Sequence, residues 1–101
     1  MSSTPEGKVK ARVKAKLDYH GIYHFMPATG GYGNSGVPDI VCCAWGKFLA
    51  IECKAGNNRT TALQDRELKR ISDAGGVALI INEQNIDDLE PFLRRIRKET
   101  S

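Results

Sequence analysis

Asp39, Glu52 and Lys54 are the residues of this chain whose types and spacing could do chemistry. Asp39 closes the run Gly36-Val37-Pro38-Asp39, and thirteen residues after it comes Glu52 in Ile51-Glu52-Cys53-Lys54. Both acids lie in short apolar stretches that read as strands, joined by a tight turn at Trp45-Gly46. With those two residues as the turn, Ala44 pairs with Lys47, and counting back sets Asp39 opposite Glu52. Opposite residues of an antiparallel pair share a face, with α-carbons about 4.5–5.5 Å apart. Strand alternation puts Lys54 on that face too. Two carboxylates so close repel unless a proton or a cation lies between them. A divalent metal held there beside a lysine would suit cleavage of a phosphodiester. The bland alternative is a half-buried hairpin with a Glu–Lys pair on its wet face, and a three-residue turn would point the residue opposite Asp39 away.

These residues must be positioned by the elements around them. The segment from Ser3 to Tyr19 reads as a helix, with Ser3 or Thr4 as its cap, Pro5 in the first turn, Ser3-x-x-Glu6 as a capping box, and Val9, Val13 and Leu17 as its apolar stripe. Glu6 falls on the inward side, where it either caps its own helix or reaches the sheet as a metal ligand. Gly21 ends the helix, and Ile22 to Met26 reads as a first strand. The loop Thr29-Gly30-Gly31-Tyr32-Gly33-Asn34-Ser35-Gly36 lacks the ending of a nucleotide-binding loop, and a mobile segment beside the site is expected. The hairpin, residues 38–44 with 47–55, supplies strands two and three.

Thr61-x-x-Gln64 is a second capping box, opening a helix to about Ala74 with Leu63, Leu68 and Ile71 on its apolar side. Val77 to Ile81 is a continuous apolar run, as for a strand covered on both faces. A final helix, interrupted or restarted at Pro91, carries Leu89, Phe92, Leu93 and Ile96. The order α-β-β-β-α-β-α implies an α/β fold with a mixed sheet, an antiparallel hairpin, a right-handed crossover and flanking helices. No repeat or linker divides residues 1–101, and one domain is expected.

Composition is that of an ordinary globular chain, with 41% hydrophobic and 27% charged residues among 101. No run approaches the roughly 20 apolar residues of a membrane span, and the start carries no signal-peptide core, so an intracellular protein is expected. The three cysteines, Cys42, Cys43 and Cys53, form no disulfide or zinc spacing and read as buried apolar residues. His20 and His24 straddle a helix end and a strand, so they share no helical face for a metal. The net charge is +3, but cations cluster at Lys8, Lys10, Arg12, Lys14 and Lys16 and again at Arg94, Arg95, Arg97 and Lys98. Either these clusters meet a polyanion or they are solvated helix faces.

Taken with the α-β-β-β-α-β order, Gly36-Val37-Pro38-Asp39, Ile51-Glu52-Cys53-Lys54 and Arg59-Thr60-Thr61-Ala62-Leu63-Gln64 resemble the VRR-NUC (virus-type replication-repair nuclease) family of the PD-(D/E)XK superfamily, over roughly residues 6 to 93. The resemblance implies a restriction-endonuclease-like core and a Mg²⁺-dependent endodeoxyribonuclease, with Mn²⁺ able to substitute. It implies Asp39 and Glu52 as metal carboxylates, the Cys53 main-chain carbonyl as a further ligand, and Glu6 as the helix-one acid. Lys54 would orient or deprotonate the attacking water, and Gln64 would hold the lysine or a phosphate. It further implies a short stand-alone protein of phage or mobile-element type in a bacterial host, a homodimer acting on branched DNA such as a Holliday junction in repair or recombination. Lys8, Lys10, Lys14, Tyr32, Ser35, Arg59, Arg94 and Arg95 are the expected DNA contacts. No membrane partner and no small-molecule cofactor are expected. Competing readings are a non-catalytic nucleic-acid-binding module of the same fold, a cysteine or histidine hydrolase, and a structural role in phage assembly.

Overall fold

The computed structural model describes residues 4–28 and 36–100. In chain order it contains α1 (Pro5–Tyr19), β1 (Tyr23–Phe25), β2 (Ile40–Ala44), β3 (Lys47–Cys53), α2 (Ala62–Asp73), β4 (Val77–Ile81), a 3-10 turn (Ile86–Asp88) and α3 (Leu89–Thr100). One sheet runs in the order β1-β2-β3-β4. The first two pairings are antiparallel and β3 with β4 is parallel, so α2 is the crossover that reverses the chain. This is the mixed sheet with flanking helices expected from the element order.

The two faces of the sheet differ. Ile40, Cys42, Ala44, Leu49, Ile51, Cys53 and Ile81 point to one face, where α1 (through Val9, Val13 and Leu17) and α3 (through Leu89, Leu93 and Ile96) close over them with Ile86. The helical spacing of those residues explains why both helices form and why they pack there. Leu17 is fully buried at this junction, and truncating it to alanine costs about 2–5 kcal/mol. On the other face α2 covers only the β3–β4 side. There Glu52 meets Gln64, and Phe48 lies with Ile71 and Ala74.

Of the two caps the sequence offers α1, Thr4 serves, its Oγ1 accepting from the Gly7 amide at 2.9 Å, while Ser3 lies outside the described residues. Several other local expectations are corrected. Leu63 is exposed because it sits in the first turn of α2, ahead of the buried Leu68. β4 is an edge strand and Ile80 is 45% exposed, so its apolar run does not mean cover on both faces. Cys43 is exposed while Cys42 and Cys53 are buried, as alternation demands for adjacent residues. None of the described helices is long and apolar enough to cross a membrane.

Candidate active site

Trp45 and Gly46 have φ of 51° and 88°, the positive values a two-residue type I′ hairpin turn needs at both positions. The tryptophan tolerates this, with its ring facing Arg97, whose guanidinium lies 5.4 Å from the ring centre. The register is therefore Ala44 with Lys47, continuing to Ile40 with Ile51. Asp39 comes next, just past the ladder, and faces the segment that holds Glu52. Its Oδ2 accepts from the Cys53 amide at 2.9 Å. A carboxylate thus takes over where the backbone pairing stops, and that bond fixes Asp39 beside the strand carrying Glu52.

Glu52 is 2% exposed. Its Oε2 accepts from Gln64 Nε2 at 2.7 Å and lies 3.6 Å from Lys54 Nζ. Its Oε1 is buried without a hydrogen-bond partner among the described residues. Burial above all, then the Asp39 charge and to a lesser degree Glu6, raise this carboxyl; Lys54 opposes them, and the balance is about 7. A buried carboxylate with an idle oxygen and like charges nearby is one that a further cation would stabilise.

Gln64 is fixed by its own helix. Thr61 Oγ1 accepts from the Gln64 amide at 3.2 Å, and Gln64 Oε1 accepts from the Thr61 amide at 2.9 Å. The Gln64 side-chain nitrogen is left to donate to Glu52 Oε2 at 2.7 Å. Gly36, at φ +83°, lies against the same helical turn: a Cβ there would sit 2.5 Å from the Leu63 carbonyl carbon and oxygen and 2.7 Å from the Gln64 nitrogen. Only glycine allows the Gly36-Val37-Pro38-Asp39 segment to touch α2 so closely.

From α1, Lys10 places Nζ 3.6 Å from Asp39 Oδ1. This contact was not legible in the sequence, where Lys10 reads as one of a run of cations; its spacing of four from Glu6, on the inward side, was the available signal. Glu6 is half-buried and does not join Asp39 and Glu52 in a compact group. Among the described residues no three His, Cys, Asp or Glu side chains form a metal cage. The side-chain donors that face a cation here are Asp39 and the idle Glu52 oxygen. An all-oxygen set fits a hard cation such as Mg²⁺ and not a thiolate- or imidazole-seeking metal.

The buried thiols are inert and both histidines are engaged, which leaves Cys43 as the exposed thiol. Burial pushes the Cys42 thiol up to about 11 and, with Asp39 next in effect, the Cys53 thiol up to about 12, so both stay protonated at neutral pH. His24 is the cross-strand partner of Cys42. Its ring nitrogens face the Ile22 carbonyl at 3.0 Å and Asp18 at 3.6 Å. His20 bonds Glu90 at 2.8 Å.

Of the expected DNA contacts, Lys8 is exposed and Lys14 half-buried on α1. Arg94 is exposed on α3 near Glu90 at 3.6 Å, and Arg95 is exposed with its guanidinium 5.5 Å from the Phe92 ring centre. Lys16 and Arg94 line one shallow cleft, so the two basic clusters, distant in sequence, lie on neighbouring helices. Arg59 is exposed in the segment before α2. Tyr32 and Ser35 lie outside the described residues.

No family model matches the chain. Over 60 residues it is 33% identical to "Putative nuclease p44" of Acyrthosiphon pisum secondary endosymbiont phage 1, a match spanning 58% of this chain and 64% of that relative. Two solved structures are similar throughout. One, a VRR_NUC domain, superposes with a TM-score of 0.74 at 22% identity, over 88% of this chain and 97% of its own. The other, a VRR_NUC domain protein, gives 0.67 at 18% identity over 92% and 88%. The fold of this chain is the fold of the VRR_NUC domain.

Proposed function

We propose that this chain is a metal-dependent nuclease of the VRR-NUC, PD-(D/E)XK type that hydrolyses DNA phosphodiesters. The observation that carries the reading is Glu52: a buried carboxylate with one idle oxygen, Asp39 adjacent across the hairpin, and Lys54 at 3.6 Å. A structural Glu–Lys pair needs neither the second acid nor the empty acceptor. The VRR_NUC fold and the phage relative named a nuclease support the same reading. When bound, Mg²⁺ supplies Lewis acidity toward water and phosphate. Asp39, Glu52 and the Cys53 carbonyl hold it, and Mn²⁺ substitutes. Lys54 orients the attacking water or takes its proton, and Gln64 keeps Glu52 aimed. Cations of α1 and α3 hold the phosphate backbone without reading bases.

Branched DNA is the substrate this reading favours, cut by a homodimer with one centre per chain. The apolar residues of α3 are buried in the core, so they do not supply the dimer surface. The open part of the sheet does better: Tyr23 (73% exposed), Phe25 (53%) and Cys43 lie on the β1–β2 side of the face that α2 leaves uncovered, with the half-exposed Phe48 (49%) at the border of the helix. That patch carries no charge among these residues, which suits a second identical patch better than a polyanion. Light scattering of Phe25→Glu should give a folded monomer from a wild-type dimer; a monomeric wild type sinks the homodimer.

A panel of four-way junction, flap, fork and duplex DNA with Mg²⁺, Mn²⁺ or EDTA tests the activity. Metal-dependent cutting strongest on branched DNA is expected. Binding without cutting of any substrate would favour the non-catalytic module.

A further inference from the structure

Lys10 points away from the surface role that the other α1 cations serve. It sits one helical turn after Glu6, and its ammonium lies 3.6 Å from Asp39 Oδ1. The side chains of both partners are only about a quarter exposed, at 26% and 21%. The other Asp39 oxygen is already committed to the Cys53 amide. Oδ1 is therefore the Asp39 oxygen left for a cation, and Lys10 already stands at it. Lys54 performs the matching task at Glu52.

We propose that Lys10 is the resident counter-ion of the reaction centre, sharing Asp39 with an incoming divalent cation and opposing that cation's binding. The proposal rests on the nuclease reading above. Asp39 and Glu52 contribute two negative charges when ionised, and Lys10 and Lys54, each 3.6 Å from one of them, two positive ones. A dication therefore meets acids that are already neutralised. Without Lys10 the two acids and Lys54 are one charge negative and draw a dication more strongly. With Lys10 the cation must compete for Asp39, so it is held loosely until the phosphate arrives. Lys10 acts through Asp39 and is a positioning residue; Lys8 and Arg12, exposed on the same helix, are not.

The test is Mn²⁺ binding to the full chain without DNA, followed by the electron paramagnetic resonance of free Mn²⁺. Lys10→Met removes the opposing charge and should tighten Mn²⁺ about tenfold. Lys10→Arg keeps the charge and should stay within about twofold of wild type. The gain should vanish in an Asp39→Asn background, where no shared carboxylate remains. Circular dichroism checks that each variant folds. Mn²⁺ affinity unchanged or weakened in Lys10→Met, with the wild type binding normally, overturns the Lys10 assignment alone. No Mn²⁺ binding by either the wild type or Lys10→Met overturns both it and the metal-dependent reading.

Discussion

Gln64 donates from Nε2 to Glu52 Oε2 at 2.7 Å while its Oε1 accepts from the Thr61 amide at 2.9 Å. One side chain thus closes the N-terminus of α2 and holds the central acid of the site. Thr61→Val removes only the reciprocal half of the cap and should cost about 1 kcal/mol of stability, with cleavage nearly intact. Gln64→Ala removes both bonds and should also lower cleavage about tenfold, near 1.4 kcal/mol of barrier. Chemical denaturation and single-turnover rates on the two variants separate these effects.

Glu52 should make stability pH-dependent in metal-free protein. Its folded carboxyl titrates at about 7, above the ordinary 4.5, chiefly through burial and then Asp39. Between those values the folded state binds more protons than the unfolded chain, so stability is full below about pH 4.5 and falls as pH rises through 7. The loss is on the order of 3 kcal/mol. Glu52→Gln should flatten the profile and melt higher at pH 8. Thermal denaturation from pH 5 to 8, with and without Mg²⁺, checks this; added Mg²⁺ should restore wild-type stability only at the upper end. An equally steep profile in Glu52→Gln would assign the dependence to other groups.

Gly36→Ala should disrupt more than its size suggests. The new methyl would meet the Leu63 carbonyl 2.5 Å away, at a backbone φ of +83° that alanine also disfavours. A loss of about 1–3 kcal/mol is expected, with weaker cleavage because Asp39 and Gln64 move apart. Wild-type melting and rate in Gly36→Ala would show that this contact is not needed.

The cations of α1 and α3 other than Lys10 should act on binding alone. Reversing the charge at Lys8, Lys14 and Arg95 should weaken DNA affinity and flatten its log–log salt dependence by about 0.9 per lost phosphate contact. Fluorescence anisotropy across salt concentrations measures both. An unchanged slope would make these helix faces merely solvated.

The hairpin was legible in the sequence because turn chemistry and alternation act locally: Trp45-Gly46 sets the register, and the register sets Asp39 beside Glu52. The Thr61–Gln64 cap was legible for the same reason, since both partners lie within one helical turn. Contacts between distant elements were not. Lys10 approaches Asp39 because of where α1 lies against the sheet; helical phase separates Lys10 from Lys8, but Lys14 shares its face and differs only in height along the helix. The pressure of Gly36 on Leu63 depends on where α2 lands. The edge position of β4 depends on strand order, which an apolar run does not encode, and Leu63 is exposed because the first turn of α2 overhangs the sheet.

The central claim is that Asp39, Glu52 and Lys54 perform the chemistry rather than hold the hairpin together. Asp39→Ala, Glu52→Ala and Lys54→Ala should each lower single-turnover cleavage by on the order of 10³-fold, about 4 kcal/mol of barrier. Losses should not add in double variants. The most direct measurement is single-turnover cleavage of a four-way junction by Glu52→Ala and Lys54→Ala, with DNA affinity measured on the same preparations. The account predicts near-complete loss of cutting with binding retained, and Mg²⁺ affinity lost in Glu52→Ala but largely kept in Lys54→Ala. Cutting close to wild type by both variants at matched purity would contradict it.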